Sequence, residues 1–192
     1  ATLAVEHGVT RSEALDPLRM KVTAGGKVCR PALRDPTIRL ICVPTTLSGG
    51  EFSQSAGARD EATMVKQGFY QPGMAPWAVV LDPAVTRHTP QWLWLSTGVR
   101  SLDHAIETLI SLRSNPVADG VAETAIRLLA DGLQMVKADP DNCAARLNCQ
   151  MGAWQSMLPL VGGGPMGASH AISHVLGGAW DVPHGYRSWI TL

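Results

Sequence analysis

From Thr89 onward the chain is punctuated by helix starts, and this constrains its fold more than any other feature. Thr89-Pro90 and Asn115-Pro116 each place a capping side chain ahead of a proline at the first helical position, where the missing N–H costs nothing. The second opens a long helix whose apolar residues Val121, Ala125, Leu128, Leu129 and Val136 recur at helical spacing. A further helix is expected from about Asn142 to Leu158. The Gly162-Gly163-Gly164-Pro165 loop then feeds another helix, Met166 onward.

The first half reads differently. A short helical start ends near Gly8, and Thr10-Arg-Ser-Glu13 has the form of a capping box opening a helix through Leu15 and Leu18. Thr23 to Pro36, polar and rich in Gly and Pro, reads as a loop. Ile38–Val43, stopped by Pro44, and Trp77–Leu81, stopped by Asp82-Pro83, read as buried strands. Thr45-Thr-Leu-Ser-Gly-Gly50 is a polar turn directly after the first of them. The expected architecture is an α/β portion over residues 1–83 followed by an all-α portion over residues 84–192.

Composition bounds the function. With 192 residues, 45% hydrophobic and 17% charged, the chain can bury a core and is not disordered. Sixteen basic and sixteen acidic residues cancel without a long run of either sign, so neither nucleic acid nor a membrane surface is an expected partner. No apolar run is long enough to span a membrane. Cys29, Cys42, Cys143 and Cys149 form no CxxC pair, and no signal segment precedes them, so a reducing cytoplasm is the expected location. Ala1 opens without Met and the chain stops inside the apolar run Trp189-Ile-Thr-Leu192, so it is expected to be truncated at both ends.

Chemistry concentrates in Met166–Gly185, which holds three of the six histidines, His170, His174 and His184. His170 and His174, four apart, share a helix face, and a turn through Gly177-Gly178 is expected to bring His184 back to them. Converging imidazoles serve as metal ligands or as acid/base groups, although a lone histidine is more often structural. A second segment, Gly98-Val-Arg100-Ser-Leu-Asp-His104-Ala-Ile-Glu107, puts Arg100, His104 and Glu107 on one face. Taken alone that face reads either as a solvated salt-bridge stripe or as part of the same centre.

Together these segments are recognisable. GxRxLDHAIE, then SHAxxHxLGG and a PHG turn, with Pro44-Thr-Thr-Leu-Ser-Gly-Gly-Glu51, Lys66-Gln-Gly68, Leu81-Asp-Pro83 and Leu95-Ser-Thr-Gly98 in the same order, resemble the iron-containing alcohol dehydrogenase superfamily, most closely its maleylacetate reductase branch. The likeness covers essentially the whole chain. It implies the dehydroquinate synthase-like, iron-containing alcohol dehydrogenase fold: a nucleotide-binding α/β domain, here partial, followed by a helical domain with the active site between them.

The resemblance also assigns roles. It implies Fe or Zn ligation by His104, His170 and His184, with His174 near the nicotinamide, and it implies NAD(P)H as cofactor, contacted by Thr45, Thr46, Ser48 and Lys66. The Gly-Gly-Gly-Ser phosphate turn of the family does not occur in this sequence. Where the metal-dependent members have a ligating Asp, this chain has Arg100, a cation without a lone pair to donate, as is typical of the maleylacetate reductase branch. The expected catalytic residues are therefore Arg100, His104, His170, His174 and His184, with Arg100 facing a substrate carboxylate or oxyanion. The implied activity is NAD(P)H-dependent reduction of an unsaturated oxo-acid of aromatic-compound catabolism, in a homodimeric parent protein. Two alternatives are a metal-dependent alcohol dehydrogenase and a non-catalytic interaction module.

Overall fold

The computed structural model describes residues 2–60, 66–164 and 167–179, with only the backbone described for Lys66 and for residues 174–179. The chain divides into two compact units, Ala1–Cys42 with Ser53–Val79, and Val43–Phe52 with Val80–Leu192.

The first unit opens with α1 (Thr2–Glu6) and a 3₁₀ segment over Ser12–Leu18. The capping box at Thr10–Glu13 does not start an α-helix. Arg11 occupies the cap position without a side-chain hydrogen bond, and Pro17 lies inside the segment, where it removes an N–H that a longer helix would need. The stretch read as a loop contains a short antiparallel ladder, β1 (Lys21–Val22) with β2 (Val28–Cys29). Its turn closes with the Thr23 N–H on the Lys27 carbonyl and Gly26 at φ 76°, a conformation that favours glycine.

The two expected strands are present but reduced. β3 (Ile41–Cys42) pairs in parallel with β6 (Ala78–Val79), and Ile38, Ile41, Val43 and Val80 are exposed rather than buried. A parallel pair becomes a buried layer only when further strands and helices cover both faces. Between them lies an unanticipated hairpin, β4 (Ser55–Arg59) antiparallel to β5 (Lys66–Tyr70). Leu3, Leu18 and Phe69 form the unit's small core, with Val9, Leu15, Leu33 and Met74 around it. The Glu6 carboxylate accepts from both the backbone and the hydroxyl of Thr37, and these bonds hold its pKa below the ordinary glutamate value.

The second unit is helical. It comprises α2 (Pro83–Thr86), α3 (Gln91–Leu109), α4 (Pro116–Ala138), α5 (Cys143–Val161) and α6 (Ala168–Ala179). Asn115 caps α4 by accepting from the Val117 and Ala118 N–H groups, and Asn142 caps α5 through Ala145. Thr89 is not a cap: its hydroxyl donates to the Thr45 carbonyl, and Pro90 takes the cap position of α3. Ser96 and Thr97 lie inside α3 with both hydroxyls turned back to the Leu93 carbonyl.

Leu47, Trp94, Leu129, Leu133, Val136, Ala145, Cys149 and Ala153 form the main core. The packing of α4 on α5 depends on two glycines. A β-carbon at Gly132 would lie 2.7 Å from Cys149 Sγ, and one at Gly152 would lie 2.8 Å from Leu129 Cγ. Burial pushes the Cys149 thiol up to about 12, and thiolate is the reactive form. At mildly alkaline pH, maleimide is expected to label exposed Cys29 in the native protein and Cys149 only after unfolding, as peptide mass mapping would show. Among the described residues no helix is long and apolar enough to cross a membrane.

Candidate active site

Helix α3 is unusual in burying polar side chains along much of its length. Thr97, Arg100, Ser101, Asp103, His104, Glu107 and Thr108 are all buried, and buried polar groups persist only when partnered. Two partners come from the loop that carries the expected cofactor residues. The Leu47 N–H donates to Thr97 Oγ1 at 3.1 Å, and the Ser101 hydroxyl donates to the Leu47 carbonyl. With Leu47 fully buried, this fastens the loop to α3 and leaves Thr46 and Ser48 half-buried, their hydroxyls 3.3 Å apart. Thr45 is exposed. The side chain of Lys66 lies outside the described residues; its backbone begins β5 opposite Arg59 in the first unit.

Thr108 turns its hydroxyl back to the His104 carbonyl, and Arg100, Asp103, His104 and Glu107 meet the first turn of α6. His170 lies at the centre of this contact, 2% exposed. Its Nδ1 is 2.5 Å from Glu107 Oε2, its Nε2 is 3.3 Å from Arg100 Nη2, and its backbone N–H donates to Glu107 Oε1 at 3.2 Å. The Ser169 hydroxyl donates to Asp103 Oδ2 at 2.9 Å. The His104 ring stacks on the His170 ring with centroids 4.7 Å apart and planes inclined by 23°.

The structure thus brings together Arg100, His104 and His170, and it rejects the solvated-stripe reading, since Arg100, His104 and Glu107 are all buried. Glu107, from the same face, belongs to the cluster, and the structure adds Asp103 and Ser169. The i, i+4 spacing of Asp103 and Glu107 was the available signal, because it puts both carboxylates on the face of α3 that already carries the cluster. Gly177 and Gly178 do not form a turn: α6 continues through them to Ala179. His174 stands on α6 one turn after His170, with its side chain outside the described residues, and His184 lies outside them altogether.

A family model for the C-terminal part of Fe-containing alcohol dehydrogenases matches residues 94–192, just over half of the chain. The chain belongs to the Fe-containing alcohol dehydrogenase family. Over 144 residues it is 32% identical to maleylacetate reductase of Sphingobium indicum, a match that takes in 75% of this chain and 40% of that protein. The fold is that of solved iron-containing alcohol dehydrogenase relatives. Maleylacetate reductase from Agrobacterium tumefaciens superimposes with a TM-score of 0.71 at 29% identity over 78% of this chain and 42% of its own. Sulfoacetaldehyde reductase from Bifidobacterium kashiwanohense, solved in complex with NAD+, gives 0.75 at 26% identity over 88% and 44%. The chain therefore spans less than half the length of each of these three relatives.

The family's metal does not fit the residues described. Of the three implied histidine ligands, His170 turns its Nε2 toward the Arg100 guanidinium, a cation where a dication would have to sit. Asp103, Glu107 and His170 bring ligand-type atoms within 4.8 Å of one another, but the Glu107–His170 contact of 2.5 Å is a hydrogen bond. Two atoms each about 2.0–2.2 Å from Zn²⁺ would subtend far less than the tetrahedral angle at that separation. Replacing the cation tests this directly. Arg100→Asp is expected to raise Zn²⁺ affinity above that of the parent protein in calorimetric titration, and no gain would mean that Arg100 is not at the ligand position.

Proposed function

We propose that this chain is part of an NAD(P)H-dependent reductase similar to maleylacetate reductase, acting on an unsaturated oxo-acid of aromatic-compound catabolism. The observation that carries the reading is Arg100, 8% exposed and directed at His170 Nε2. A buried guanidinium is suited to an anion: its planar fork of N–H donors matches the geometry of a carboxylate or a developing oxyanion. In this reading Arg100 orients the substrate and offsets the charge that grows on the carbonyl oxygen. His104 and His170, with His174 and His184, provide polar contacts and proton transfer.

The cofactor, when bound, supplies the hydride. Thr46 and Ser48 fit it as hydrogen-bonding partners, since their hydroxyls are partly accessible and their loop is anchored to the helix that carries Arg100. The test is oxidation of NADH and NADPH by the full-length protein with maleylacetate and, in parallel, with uncharged aldehydes of similar size, each with and without a chelator. Chelator-insensitive turnover with a strong preference for the oxo-acid supports the reading. Chelator-sensitive turnover of the uncharged aldehydes would replace it with a metal-dependent alcohol dehydrogenase.

A further inference from the structure

We infer that Glu107 is a positioning residue: its carboxylate fixes His170 as the Nδ1–H tautomer and so presents the Nε2 lone pair to Arg100. The functional meaning of this arrangement rests on the reductase reading above.

The inference starts from the donors. A guanidinium only donates hydrogen bonds, so the 3.3 Å approach of Arg100 Nη2 to His170 Nε2 is attractive only if Nε2 carries the lone pair. In the neutral ring the proton is then on Nδ1, which lies 2.5 Å from Glu107 Oε2. The other oxygen of the same carboxylate accepts the His170 backbone N–H. One carboxylate thus takes two donors from one residue, fixing both the ring's direction and its tautomer, as a second carboxylate or carbonyl does for many functional histidines.

Two further contacts and one glycine hold this geometry. His104 stacks against one face of the ring. Asp103, one turn earlier on α3, receives the hydroxyl of the neighbouring Ser169, so two carboxylates latch two consecutive residues of α6. Gly167 admits the latch: a β-carbon there would lie 2.5 Å from Glu107 Oε1 and 2.8 Å from its Cδ, and a side chain would push α6 away from the carboxylate.

Glu107→Gln separates positioning from mere packing, because it keeps the shape and changes the donor pattern. An amide has one acceptor and one donor end. The backbone N–H of His170 cannot reverse, so the amide oxygen goes to it and the NH2 faces Nδ1. Nδ1 must then accept, the ring proton moves to Nε2, and Nε2–H meets the N–H of Arg100.

The experiment uses the purified full-length protein labelled with ¹⁵N-histidine, with His170 assigned by comparison with a His170→Asn variant. Long-range ¹H–¹⁵N correlation is expected to show Nδ1–H in the parent and Nε2–H in Glu107→Gln. With maleylacetate and NADH, kcat is expected to fall by about 10²-fold while KM for NADH holds. In an Arg100→Met background the same substitution is expected to cost less than about twofold, since partners acting through one another are not additive. A parent ring protonated at Nε2, a tautomer unchanged by the substitution, or an equal loss in both backgrounds would overturn the inference. Should Glu107→Gln fail to fold, the parent spectrum alone decides. Absence of reductase activity would remove the functional reading and leave the tautomer assignment standing or falling by its own spectrum.

Discussion

Arg100→Met is expected to lower kcat/KM for an oxo-acid substrate by about 10²- to 10³-fold, the usual effect of deleting one donor that stabilises a developing oxyanion. Methionine keeps an unbranched stem of roughly similar bulk, so the loss reports mainly charge and hydrogen bonding. Two contributions add. The substrate loses its cationic partner, and His170 Nε2 loses the donor that stands 3.3 Å from it. Arg100→Lys is expected to recover only part of the activity, because an ammonium is a point charge and cannot form the planar two-point contact of a guanidinium. Steady-state kinetics on the oxo-acid and on an uncharged aldehyde separate the contributions: a loss confined to the charged substrate identifies a carboxylate contact, and an equal loss on both identifies the oxyanion. A drop smaller than about threefold on both would be outside the range for such a donor and would remove Arg100 from the catalytic group.

Trp94→Ala is expected to destabilise the protein by about 3–5 kcal/mol, the range for emptying a large aromatic site in a core. Trp94 is fully buried, and the Arg146 guanidinium lies over its ring at 4.7 Å. Arg146 is itself nearly inaccessible and donates to the carbonyls of Pro140 and Thr86 and to the Thr86 hydroxyl. Burial pulls its pKa below the ordinary arginine value. Removing the indole therefore leaves a cavity and also strips a desolvated cation of its aromatic face. Leu112→Ala, at a fully exposed position, is the control and is expected to stay within about 0.5 kcal/mol of the parent. Urea unfolding followed by circular dichroism measures both. A Trp94→Ala value near that of the control would mean that the core closes without the indole.

What the sequence makes legible here is mostly local. Asn115 and Asn142 cap helices because an Asx side chain ahead of a helix finds its N–H partners within three residues. Inside a helix a similar polar side chain behaves differently: the Ser96 and Thr97 hydroxyls satisfy themselves on the carbonyl three or four residues back. The β4–β5 hairpin escapes notice because Ser-Ala-Gly-Ala-Arg and Lys-Gln-Gly-Phe-Tyr lack the alternation of β-branched residues that marks a half-buried strand. At the site, Arg100 and His104 follow from helical spacing and His170 from its motif. The Glu107–His170 and Asp103–Ser169 contacts join residues 63 and 66 positions apart, and only the docking of α6 on α3 creates them.

The anchoring of Leu47 on α3 has a consequence for the geometry of the proposed reaction. Thr97 and Ser101 grip the two backbone polar groups of Leu47, and Arg100 stands between them in sequence on the same helical rail. The hydroxyls flanking Leu47 and the guanidinium therefore share one frame of reference, and thermal displacement of the rail carries them together. In the proposed reductase, the separation between a ligand on Thr46 and Ser48 and an anion on Arg100 would be set by this one helix, with the spacing built in before either molecule arrives.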